Sequence, residues 1–262
     1  MKPRSSDTPI PSEDHQNKSS NQFSSASNAE VQETFGSGKD AFLKQSVTAR
    51  ILVACGAVGP LLFLTLLLIE GATRPDYSAW HHFGSLLTLG EQGWMQITNF
   101  IVCGVLVLCF AIGLRLVLRS GKGATWGSIL LGLFGLGLVA VGFFVTDPVA
   151  GQGYPPGGAI THTLHGRMHD LFTLLMFISL PVACFVLARR FAGDPAWRGW
   201  ALYSVVTGIL VFVFFEATSI VATNLHTNDA TVGLLQRISM FIGWGWISLF
   251  ALQLLCKKGP RG

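Results

Sequence analysis

Residues 96–118 read QITNFIVCGVLVLCFAIGLRLVL, and this stretch decides the fold. Its one charged residue is Arg115, close to its end. An α-helix rises about 1.5 Å per residue, so a run of this length matches a hydrocarbon layer about 30 Å thick. Backbone N–H and C=O groups find no partner in lipid, so the run must pair them internally, as a helix. Five more runs of the same kind follow the same logic: Val47–Ile69, Ala124–Thr146, Leu171–Ala188, Trp200–Thr223 and Leu235–Leu255. The pattern predicts an all-α fold, a six-helix transmembrane bundle over residues 47–256.

Composition agrees with that reading. Of 262 residues, 50% are hydrophobic and 12% charged, with a mean hydropathy of +0.50. Soluble domains carry about 25% charged residues, so the chain is poor in charge by about half. This excludes an ordinary soluble enzyme, a disordered chain and a nucleic-acid-binding module. The five cysteines (Cys55, Cys103, Cys109, Cys184, Cys256) lie in or beside apolar runs without a CxxC pair. They read as small hydrophobes and not as a disulfide or zinc framework.

Residues 1–46 are a different material, rich in Ser, Asn, Gln, Asp and Glu, and are expected to form a disordered polar tail. No apolar stretch there resembles a secretory signal, so the first helix is expected to direct its own insertion. Residues 257–262 form a short basic C-terminus.

Lys and Arg fall almost entirely in the tail, the second-to-third and fourth-to-fifth loops, and the C-terminus; Arg74, Arg167 and Arg237 are the exceptions. The positive-inside rule then puts both termini in the cytoplasm and the protein in the plasma membrane, and makes the net charge of +4 a topology signal. Six of the seven histidines and most remaining acids lie toward the outer side, with Tyr77, Trp80, Trp94 and Tyr154. Any chemistry is therefore expected at the outer face. Ser128, Gly132, Gly135 and Gly142 form a smooth stripe on the third helix, which reads as a close packing surface.

Two constellations at that face carry chemical potential. In the first, Pro148 ends the third helix near Asp147, and the fourth helix opens with His165-Gly166-Arg167-Met168-His169. His165 and His169 are four apart and share a helix face, so the pair can ligate one metal ion with Asp147 as a third ligand. The ion would be zinc, holding an activated water against a lipid ester or amide. The plainer alternative is a hydrogen-bonded interfacial cluster. In the second, Glu216 lies about 10 Å inside the outer end of the fifth helix and needs a partner there. Arg237, early in the sixth helix, is the expected one, and the pair reads either as a proton or cation site or as a packing device.

Several segments together resemble a known family. They are Gly56-Ala57-Val58-Gly59-Pro60, Arg74-Pro75-Asp76-Tyr77-Ser78, Gly93-Trp94 with Asn99-Phe100, Gly142–Pro148, Leu164–Asp170, and Gln236-Arg237 with Trp244. In combination they resemble the integral-membrane family named domain of unknown function 998, over about residues 48–256. The resemblance implies a multi-pass bundle of this size and no assigned reaction. A Ser, an Asp and paired His near helix ends are also similar to the seven-helix ceramidase-like hydrolases, with Ser85, Asp147, His165 and His169 as the corresponding elements. This chain has six runs, and its histidine pair opens the fourth.

The leading expectation is a membrane protein whose outer cleft, lined by Asp147, His165, Arg167, Glu216 and Arg237, binds a lipid headgroup or small amphiphile. The alternatives are a zinc-dependent lipid hydrolase using Asp147, His165 and His169, assisted by Ser85 or Glu216, and a proton-coupled transporter using Glu216. No inverted repeat is visible to favour the transporter.

Overall fold

A computed structural model describes residues 47–118, 121–223 and 231–256. The polar tail, the basic C-terminus, and His226 and Asp229 of the last outer loop lie outside those residues. The described chain is helical, without a strand. Its six long helices are α1 (Val47–Thr73), α2 (Gly93–Leu118), α3 (Lys122–Phe143), α4 (Leu164–Ala192), α5 (Arg198–Thr223) and α6 (Val232–Cys256). All six are long and apolar enough to cross a membrane.

Several helix boundaries differ from the expected runs. α1 runs on past Ile69 to Thr73, because Glu70 has a partner one turn later in Arg74. α3 ends at Phe143, four residues before Asp147, so that Asp147 lies in the connection and not on the helix. α4 starts at Leu164, with Thr163 as its N-cap, and runs through Pro181 to Ala192.

Successive helices pack on one another from α2 to α6. α1 fits between α2 and α6, where Gly56 and Gly59 face Phe110 and Leu106 of α2. On the other side, Ser248 of α6 donates to the Ala57 carbonyl at 3.1 Å. Aromatic rings from four helices meet at the bundle centre, with Phe63, Phe134 and Phe177 around Trp244, their centroids 4.8–6.2 Å from the indole. The glycine stripe of α3 serves as expected. Gly135 lies against the Gly104 backbone of α2, and a Cβ on Gly104 would come within 2.7 Å of the Gly135 carbonyl. α5 is the most lipid-exposed helix, with Leu202, Ile209, Phe212, Val213 and Ile220 facing outward. Cys103 and Cys184 are buried in the bundle, and the five cysteines are unpaired.

Trp80 and Trp94 are exposed at one end of the bundle and Trp126 at the other, the positions where indoles anchor at the two membrane interfaces.

Candidate functional site

The α1–α2 connection, residues 74–92, folds over the bundle as a cap that includes a 3-10 turn at Gly84–Thr88. Two buried arginines hold it. Arg74 pairs with Glu70 at 3.2 Å, and its guanidinium donates to the carbonyls of Leu87, Leu89 and Gln92. Arg237 donates to the carbonyls of His82 and Gly233, both at 3.0 Å, and to the Tyr77 hydroxyl. The planar fork of a guanidinium suits this clamping of several carbonyls, which a lysine cannot reproduce.

Two amides finish the cap. The Gly84 N–H donates to Gln236 Oε1 at 2.8 Å, and the Phe83 N–H donates to Gln152 Oε1 at 3.0 Å. The Leu234 N–H, at the start of α6, donates to the Trp80 carbonyl. His82 clusters with the rings of Tyr77 and Tyr154, which also meet edge-on, and its Nδ1 accepts from the Ser78 N–H at 2.9 Å. Burial pushes the His82 pKa down and the Tyr77 hydroxyl pKa up, both by loss of solvation.

This geometry corrects the pairing expected for Arg237. Its partners are the cap and Gly233, not Glu216, because the guanidinium reaches across to the α1–α2 connection. Glu216 remains half-buried on α5.

Asp147, His165 and His169 come to the same corner, where each has a local task. Asp147 Oδ1 and Oδ2 accept from the Thr163 hydroxyl and N–H at 2.8 and 2.7 Å. Thr163 in turn accepts from the Gly166 N–H, so the acid reinforces the N-cap of α4, at the positive end of the helix dipole. A Cβ on Gly166 would collide with the Asp147 carboxylate, so only glycine fits there. His169 is buried and bonds through Nδ1 to the Phe144 carbonyl at 2.8 Å. A carbonyl only accepts, so Nδ1 carries the proton, and Nε2 is the acceptor of the neutral ring. His165 and Arg167 are exposed, with the His165 ring against Phe144. Among the described residues, no group of three His, Cys, Asp or Glu side chains is placed to hold a metal ion.

Beneath the cap lies a cavity of about 420 Å³ between α4, α5 and α6. Of the residues singled out from sequence, Ser85 and His169 line it; Asp147, His165, Arg167, Glu216 and Arg237 do not. Its lining is rich in hydroxyls, including Thr173, Thr218, Ser219 and Ser239, with the exposed Asp170 among them. Its apolar lining residues include Phe83, Leu174, Phe177 and Phe215, with Phe177 and Phe215 stacked at 4.5 Å. Asp170, Leu174 and Thr223 are exposed, so the cavity reaches the surface beside α4 and α5.

The sequence signal for these missed residues is a set of helical intervals. His169 and Thr173 are four apart on α4, Phe215, Ser219 and Thr223 repeat every four on α5, and Gln236 and Ser239 are three apart on α6. Each interval places a polar or aromatic stripe on one face.

The six spans and the capped bundle define a multi-pass integral membrane protein. The chain belongs to the family described as "Protein of unknown function (DUF998)", whose model matches residues 57–253. No curated protein and no solved structure matches it.

Proposed function

We propose that the protein is a multi-pass protein of the plasma membrane, with both termini cytoplasmic, that binds an amphiphile in the cavity beneath its cap. The observation that carries this reading is the mixed lining of the cavity, hydroxyls and aromatic rings together. Hydroxyls, His169 and Asp170 line it together with Phe83, Phe177 and Phe215. A volume of about 420 Å³ falls in the range of small-molecule sites and suits a headgroup with a few methylenes. Asp170 is the charged group among its lining residues, so the headgroup it suits is neutral and hydroxylated, or cationic.

Several of these hydroxyls already donate to backbone carbonyls one turn earlier: Thr218 to Phe214 at 2.7 Å, and Ser219 to Phe215 at 3.1 Å. Their oxygens keep lone pairs, and His169 Nε2 adds another acceptor. The lining therefore favours a ligand that brings donors, such as sugar hydroxyls or an ammonium group. Binding, with no covalent step, is the function this arrangement supports.

Photoactivatable single-chain amphiphiles with glycosyl, ammonium or phosphate heads test the reading on the purified full chain. Crosslinks from the first two are expected on the cavity-lining parts of α4 and α5. A probe with a phosphate head labelling those segments best would contradict the assignment.

A further inference from the structure

The opposite end of the bundle carries a second, unrelated concavity. A groove of about 930 Å³ opens where α3 begins and α4 ends, lined by Arg189, Arg190, Trp126, Gly123 and Asp194. We propose that this groove seats the phosphate-bearing headgroup of an anionic membrane lipid.

Position is the first argument. The groove lies at the termini of two membrane-crossing helices, which is the depth of the headgroups. Trp126 is 57% exposed beside it, as an interfacial anchor would be. Basic pockets between membrane helices at this level suit phosphate heads.

Charge is the second. Arg189 is exposed in the last turn of α4. Arg190 donates from Nη2 to the Leu118 carbonyl at 3.2 Å, and its stem packs by Gly123. Guanidinium groups match phosphate oxygens as a fork. The acid in the lining, Asp194, accepts from the Ala196 N–H at 3.0 Å as the cap of the short 3-10 helix Pro195–Trp197. α3 begins at the groove with Gly121 as N-cap and no side-chain cap, so the positive end of its dipole adds to the two arginines.

Native mass spectrometry of the detergent-purified full chain tests this site. The probes are phosphatidylglycerol, phosphatidylcholine with the same acyl chains, and inorganic phosphate. Phosphatidylglycerol is expected to bind preferentially, and Arg189→Gln to weaken it about fivefold while leaving phosphatidylcholine unchanged. Arg189 is exposed, so this variant keeps the fold. Arg190→Lys, which keeps the charge and loses the fork, is expected to retain the headgroup preference with weaker binding. Equal binding of the two lipids, or an Arg189→Gln variant that binds phosphatidylglycerol like the wild type, would overturn the proposal. So would inorganic phosphate that competes fully while no lipid preference is seen. None of these outcomes touches the cavity beneath the cap, which has no arginine in its lining.

Discussion

Asp147 shows how a residue with catalytic promise can be absorbed by structure. Both carboxylate oxygens bond to Thr163, and Gly166 is shaped around them. Asp147→Ala is expected to cost about 1–2 kcal/mol, the value of a helix cap reinforced by charge, read as a lower unfolding temperature in detergent. Zinc added in excess should leave wild type and variant equally far apart; stabilisation of the wild type alone would restore the metal reading. His82 gives a pH signature. Burial lowers its folded pKa below the unfolded value near 6.5, so the stability it supports is complete above about pH 6.5. That stability is lost as the pH falls from there toward the folded pKa, because the unfolded chain takes up the proton first. Thermal melts from pH 8 to 5 should show the decline. His82→Asn, whose amide oxygen can accept from Ser78 N–H, should flatten it.

At the scale of elements, helices were legible and the cap was not. The six runs announce themselves because lipid leaves the backbone one solution. The connection over residues 74–92 has no such periodicity. It is held by Arg74, Arg237, Gln152 and Gln236 through bonds to backbone carbonyls and N–H groups, up to 155 residues apart in sequence. Nothing in the sequence says which carbonyl an arginine will reach. Depth along the helices made Glu216 the natural partner of Arg237, but depth does not fix the direction around a helix axis. Arg237→Lys is expected to cost on the order of 3 kcal/mol, since buried carbonyls lose their donors, and hydrogen exchange should speed up across the cap. The α2–α3 seam makes a separate prediction. Gly104→Ala forces the Gly135 backbone away and should destabilise by about 1–3 kcal/mol. Gly245→Ala, with open space around its Cβ position, should be neutral or slightly stabilising.

Over the whole molecule, little of the candidate site was legible: Asp147, His165, Arg167, Glu216 and Arg237, the residues expected around an outer cleft, do not line the cavity. Ser85 and His169, singled out from sequence only for the hydrolase alternative, do line it. The hydroxyls of Thr173, Thr218, Ser219 and Ser239 escaped notice because Ser and Thr in membrane helices ordinarily bond back to their own helix, as Thr218 and Ser219 also do. Orientation is a property of the same scale: a Lys122→Cys variant should resist a membrane-impermeant thiol reagent applied outside intact cells, and labelling would reverse the topology. The functional account rests on the cavity, and the measurement that tests it most directly is native mass spectrometry of the wild type beside Thr173→Phe, a change that fills the cavity from α4. The wild type should retain one neutral or cationic amphiphile, and Thr173→Phe should lose it while keeping its unfolding temperature. Equal retention by a folded Thr173→Phe variant would contradict the account.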